Sequence, residues 1–375
     1  MTATFNIAPR WVADTKELGW GTLPTANNSN VATDLVAWKD FQNLLYKSFA
    51  KGKLYSTDIV STYSLVYTTG FAYAGGVLAP NGDVQFIPYI ANRGQKVSAN
   101  GTVSTYNLVY TATNAYLGGV LAPNGDIHFI PSSADRGQKI SPSGVVSTYS
   151  LVYTTTFAYF GGVLAPNGEI QFIPYSANRG QKIALDGTVS TYSLVYTTSS
   201  AYTGGVVAPN GDIHFIPSSA NRGQKISAAG VVSTYSLVYT AEFAYFGGVI
   251  APNGDIHFVP GSANRGQKIS ANGTVSTYSL VYTTGNAYFG GVLAPNGDIH
   301  FVPYSANRGQ KISPSGVVST YSLVYTTTFA NLGGILTPNG DILFIPYNAN
   351  RGQEISTMAS SFSQGICMSP WFNKL

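Results

Sequence analysis

Residues 75–82 read GGVLAPNG, and residues 118–125, 43 positions further on, spell the same eight letters. With small edits the phrase returns at 161, 204, 247, 290 and 333, giving seven copies at an unvarying interval. A fixed period of this length overrides chain length as a guide to domain number, because each unit can bury its apolar face only against its neighbours. The 375 residues therefore imply one repeat array rather than two ordinary domains.

Within one period, residues 118–153, four short runs rich in β-branched and aromatic residues follow one another: GGVLAP, DIHFIP, GQKIS and VVSTYSLVY. Pro123, Asn124 and Gly125 make a tight turn after the first, and Gly144 turns the third into the fourth. Gly101, Gly187, Gly230, Gly273 and Gly316 repeat that second turn. Four strands in a unit of this size predict a propeller blade. The fold expected is all-β: a seven-bladed β-propeller of seven 43-residue, four-stranded repeats, with a short helical N-terminal flank and a C-terminal tail. The paired glycines, such as Gly75 and Gly76, sit on the innermost strand, where backbones crowd around the axis and a Cβ would intrude.

The ends of the array predict how the ring closes. VSTYSLVY at 60–67 is a fourth strand with no first three before it, and the last period stops after its third strand, GQEIS at 352–356. Residues 60–67 should complete the seventh blade and remove exposed edges. The division expected is a flank over 1–59, a propeller over 60–356 closed by strand 60–67, and an attachment tail over 357–375. In the flank, Leu35, Trp38, Phe41, Leu45 and Phe49 recur at helical spacing and predict an amphipathic helix over about 33–50. All four tryptophans, Trp11, Trp20, Trp38 and Trp371, stand outside the blades. With Phe372 they are the candidate attachment residues, since buried aromatics anchor interfaces.

Composition narrows the function. Charged residues are only 10% of the chain and the net charge is +4, with no Lys/Arg cluster, which argues against a nucleic-acid partner. The single cysteine, Cys367, excludes an intrachain disulfide framework. The N-terminus lacks the apolar run of a secretory signal peptide, and no stretch is apolar enough for a membrane span.

The titratable residues obey the period too. Arg93, Arg136, Arg179, Arg222, Arg265, Arg308 and Arg351 fall between the second and third strands. Asp83, Asp126, Glu169, Asp212, Asp255, Asp298 and Asp341 follow the first turn, so one face should carry an arginine ring and the other a carboxylate ring. Tyr73, Tyr116, Tyr159, Tyr202, Tyr245 and Tyr288, just before the glycines, join the arginines as the candidate binding face. Variation between copies is concentrated there too, at positions equivalent to 71 and 89. His128, His214, His257 and His300 share one register position, filled elsewhere by Gln85, Gln171 and Leu343, which predicts a structural hydrogen bond between blades. Equivalent positions on different blades stand too far apart to share an ion, so neither a metal nor another cofactor is expected. A seven-fold pattern offers no asymmetric cluster for catalysis, which implies that the chain is not an enzyme.

The phrase AYFGGVLAPNGDIHFVPYSANRGQKI, residues 287–312, resembles the propeller-like GGVLLPNG…VPY repeats of phage, giant-virus and bacterial proteins. The ending MSPWFNKL, residues 368–375, resembles the SP-aromatic-x-N-K endings of some phage structural proteins. The resemblance implies a structural or interaction protein of a phage or virus particle, with the propeller as a rigid scaffold and other structural proteins of the virion as partners. A multivalent, lectin-like propeller that binds surface glycans is the alternative.

Overall fold

The computed structural model describes residues 6–11, 18–22 and 58–357. Strands β1 (Asn6–Trp11) and β2 (Leu18–Thr22) form a two-stranded antiparallel sheet by themselves. Trp11 and Trp20 stand in these strands, a pair that helical periodicity does not anticipate. The helix expected over 33–50, together with Trp38, Trp371 and Phe372, lies outside the described residues.

β3 (Ile59–Ser64) precedes the first full blade, which comprises β4 (Tyr73–Leu78), β5 (Val84–Pro88), β6 (Arg93–Val97) and β7 (Val103–Asn107). Blades 2 to 6 repeat this order as β8–β11 (116–150), β12–β15 (159–193), β16–β19 (202–236), β20–β23 (245–279) and β24–β27 (288–322). Blade 7 has β28 (Asn331–Leu336), β29 (Asp341–Pro346) and β30 (Arg351–Ser356), and β3 is its fourth strand. Ile59 pairs with Ser356 and Ser64 with Arg351, so the two ends of the array share one antiparallel sheet. The result is seven four-stranded antiparallel blades in a ring, with no helix among the described residues. No helix there is long and apolar enough to cross a membrane.

The innermost strand of each blade carries a bulge. In blade 1 the register passes from Tyr73↔Pro88 to Gly76↔Phe86, leaving Ala74 and Gly75 opposite one residue. Gly75 takes φ +93°, and a Cβ there would lie 3.1 Å from the Cα of Gly118 in the next blade. The contact runs on around the ring and returns from Gly333 to Gly75 at 3.4 Å. Glycine at this place is what lets seven backbones meet at the axis.

The apolar core lies between blades. Between blades 1 and 2, Val77 and Ile87 pack on Tyr116, Ile127 and Phe129, and the five later junctions along the chain and the closing one repeat the arrangement. Each fully buried Phe or Tyr of this kind contributes about 1.5–3 kcal/mol. Polar pins fix the junctions. The Gln138 side chain, fully buried, accepts hydrogen bonds from the backbone N–H groups of Val109 (3.0 Å) and Tyr110 (2.8 Å) in the connection that enters blade 2. Gln95, Gln181, Gln224, Gln267, Gln310 and Gln353 do the same at the other connections.

Candidate functional site

The arginines open the third strand of each blade and remain exposed. Arg136 stacks over the ring of Tyr110, 5.1 Å from its centroid, in the connection pinned by Gln138. Arg179, Arg222, Arg265, Arg308 and Arg351 stack likewise on Tyr153, Tyr196, Tyr239, Tyr282 and Tyr325 at 5.3–5.4 Å. The valine preceding each tyrosine, Val109 for example, is about 60% exposed. Each unit therefore combines a cation held on an aromatic face with an uncovered apolar side chain. The sequence signal for these tyrosines is the LVY that ends the fourth strand in every period, a strand end rather than part of a site on sequence alone.

The other tyrosine series must be corrected. Tyr73, Tyr116, Tyr159, Tyr202, Tyr245 and Tyr288 are at most 1% exposed and cannot line a binding face. They start the innermost strand and point into the blade, where Tyr116 meets Phe129 edge-on. The Tyr116 hydroxyl donates to the carbonyl of Arg136 at 3.2 Å, so the tyrosines buttress the arginine strands from beneath.

Side chains that follow the buried tyrosines on the innermost strands of several blades meet in one apolar cluster. Phe246 and Phe289 stack at 4.8 Å, Phe160 joins Phe289 at 5.5 Å, and Leu117 and Leu332 complete the cluster. The variable positions ring it. Phe71, Asn114, Phe157, Ser200, Phe243, Asn286 and Phe329 all have φ of 52–60°, a left-handed backbone that is uncommon for phenylalanine. Phe71 packs edge-on against Tyr347 at 5.0 Å.

The expected carboxylate ring is not bare. Asp126 accepts an ion-pair hydrogen bond from Lys139 at 2.7 Å, and Asp83, Glu169, Asp212 and Asp255 pair with Lys96, Lys182, Lys225 and Lys268 in the same way. In blade 7 the lysine position holds Glu354, and burial, then that neighbour, raise the Asp341 carboxyl. The histidines bond within their blades rather than between them: Nδ1 of His128 lies 3.2 Å from the Tyr149 hydroxyl, with Tyr235, Tyr278 and Tyr321 serving the others. Burial first, then the adjacent lysine, pushes His128, His214 and His257 down to about 4.

One junction departs from the rest. Asp58, just before β3, reaches across from blade 7 to blade 6 and accepts from Lys311 at 2.5 Å, while Asp298 accepts from the same lysine at 2.9 Å. Nε2 of His300 lies 3.9 Å from Oδ1 of Asp58, and both atoms are buried without a hydrogen-bond partner among the described residues. Burial holds His300 down at about 3. The period itself carried the signal for this seam: two positions before VSTY stands Gly in six copies and Asp58 in the seventh.

Comparison with protein-family models and with curated sequences gives no match. Solved structures do share the fold. A streptogramin B lyase is 20% identical with TM-score 0.71, over 81% of this chain and 99% of that one. A catalytically inactive virginiamycin B lyase from Staphylococcus aureus, solved with quinupristin, is 18% identical with TM-score 0.70, over 80% and 99%. The WD40 β-propeller domain of Doa1 is 14% identical with TM-score 0.62, over 82% and 99%. The chain thus has the fold of a seven-bladed β-propeller. The inference that a seven-fold ring excludes an enzyme is overturned: the same ring serves lyases, and here the repeat is itself broken at Asp58.

Proposed function

We propose that this chain is a multivalent interaction propeller that binds acidic surface glycans through its arginine face, carried on a phage or virus particle among other structural proteins. The observation behind the ligand class is the repeated unit of an exposed arginine stacked on a half-buried tyrosine beside an exposed valine. A guanidinium fixed on an aromatic ring offers a carboxylate two parallel hydrogen bonds, and the uncovered valine faces the apolar side of a sugar ring. Single units of this kind bind weakly. Units at equal spacing on one rigid face gain strength by avidity against a repetitive ligand. The particle setting rests on the resemblance of the repeat and of the C-terminal ending to phage and viral sequences.

A glycan array carrying uronate- and sialate-containing chains tests the ligand class. Binding that falls stepwise as Arg136, Arg222 and Arg308 are changed to Ala supports the reading, and a blank array, or binding indifferent to these arginines, rejects it. Imaging of purified particles with a label on this chain tests the setting.

A further inference from the structure

The junction between blades 6 and 7 holds more ligand atoms than its own bonds use. At the blade 4–blade 5 junction one carboxylate, Asp212, faces one ammonium group, Lys225, beside His214. At the seam Asp58 adds a second carboxylate with no second cation among the described residues, and its side chain is only 6% exposed. Nε2 of His300 and Oδ1 of Asp58 are left buried and unpartnered. Buried charge of this kind is retained in proteins when it is paired or coordinates a metal. We propose that a divalent transition-metal ion of the zinc type binds here, ligated by Nε2 of His300 and by the carboxylates of Asp58 and Asp298.

Geometry supports the donor set. Candidate ligand atoms of the three residues lie within 4.8 Å of one another. Bonds of about 2.0–2.2 Å in a tetrahedral site place neighbouring ligand atoms about 3.4 Å apart, so the 3.9 Å between Nε2 and Oδ1 closes by about half an ångström when the ion enters. The Tyr321 hydroxyl at Nδ1, 3.3 Å away, fixes the imidazole with Nε2 directed at Asp58, as an outer partner does for a metal-bound histidine. A bridging water would satisfy the two atoms but leave the extra negative charge uncompensated. Lys311 is the competitor for the carboxylates, and with its side chain 22% exposed it has a route to solvent when the ion enters. The site deviates from the sequence expectation of no metal because its third ligand comes from outside the repeat. Its consequence is mechanical: Asp58 immediately precedes the closing strand, so the ion staples that strand to blade 6.

The test uses the full chain after chelator treatment, with Co2+ as a spectroscopic probe and Zn2+ for thermal melts. The result expected is a visible Co2+ ligand-field band saturating at one ion per chain, with a rise in melting temperature on adding Zn2+. Both should be lost in Asp58→Asn and in His300→Gln, and kept in His214→Gln. His300→Gln should fold, because Gln85 and Gln171 occupy the same register position in blades 1 and 3. Lys311→Met should bind Co2+ about tenfold more tightly once the competing charge is gone. Absence of a band and of a melting shift in the parent chain overturns the proposal, as does an unchanged response in His300→Gln.

Discussion

The junction of blades 4 and 5 and the junction of blades 6 and 7 are built from the same letters and end differently. In the first, His214, Tyr235, Lys225 and Asp212 all belong to blade 4 and leave one ion pair beside one hydrogen-bonded imidazole. In the second, His300, Tyr321, Lys311 and Asp298 repeat that set, and Asp58 enters from the far end of the array. The histidine goes from 8% exposed to fully buried. The difference teaches where a repeat protein can hold chemistry of its own. Copying fixes a neutral, self-contained junction, and only the place where the chain ends meet receives a residue that copying does not supply.

The most drastic way to break the comparison is to remove the seam. Deleting residues 1–67 takes away β3 and leaves β30, still paired with β29, as an open edge along a six-residue register. An open edge invites pairing with other chains, and the blade 7 core loses its outer cover. The expected outcome is aggregation and loss of a single cooperative melting transition. Moving residues 58–67 behind residue 357 through a Ser-Ala-Asn-Gly turn, like that of residues 98–101, should restore both. A deletion variant that stays monomeric with unchanged melting would show that the seam is not what closes the ring.

Lowering the pH probes the ordinary junctions. Burial, then the neighbouring lysine, pushes His128, His214 and His257 down to about 4, below the ordinary 6.5, with the nearby Asp acting in the opposite direction. Between pH 6.5 and 4 the unfolded chain takes up protons that the folded chain refuses, so stability falls as pH falls through this window and is unaffected above it. Three such groups give a slope of about 4 kcal/mol per pH unit. Denaturant titrations across this range should show it, and the triple change of these histidines to Gln should remove this share of the slope. An equally steep curve in the triple variant would place the acid sensitivity elsewhere.

Two glycines of blade 2 separate packing from backbone strain on a smaller scale. A Cβ on Gly137 would lie 2.1 Å from the ring of Tyr149 on the paired strand, whereas at Gly144 nothing stands within 4 Å but φ is +84°. Gly137→Ala forces the tyrosine off its strand and off His128, at a cost of about 2–3 kcal/mol. Gly144→Ala costs about 1 kcal/mol for the left-handed backbone alone. Chemical denaturation of the two variants should preserve that order, and its reversal would mean that the tyrosine swings aside freely.

Much of this was legible in the sequence. The period counted the blades, the turn residues delimited their strands, and GGV marked the axis, because each of these is a local requirement repeated seven times. The tyrosines were not legible, since an aromatic residue before a strand fits a loop surface and a blade core equally well. Tyr73 proved to be core and Tyr110 part of the arginine stack. The neutralised carboxylates were hidden because Asp126 precedes β9 while Lys139 stands on β10 opposite His128, and only the pairing of the two strands brings the ammonium within reach of the carboxylate. Asp58 was the hardest: its partner Lys311 is 253 residues away, and no periodicity links them.

The finest distinction between the two kinds of junction lies in their lysines. Lys139→Met removes the cation from a single carboxylate, Asp126, which keeps its hydrogen bond from the Asn124 side chain. A partly exposed pair of this kind is worth up to about 1 kcal/mol. Lys311→Met, in metal-free buffer, instead leaves Asp58 and Asp298 facing each other with no cation between them. Two carboxylates at one buried site cannot both stay ionised cheaply. The seam variant should therefore lose about 1–2 kcal/mol more than its counterpart at neutral pH. Denaturant midpoints of the two variants at neutral pH supply the measurement. Equal losses would mean that the seam differs from the other junctions in shape but not in charge.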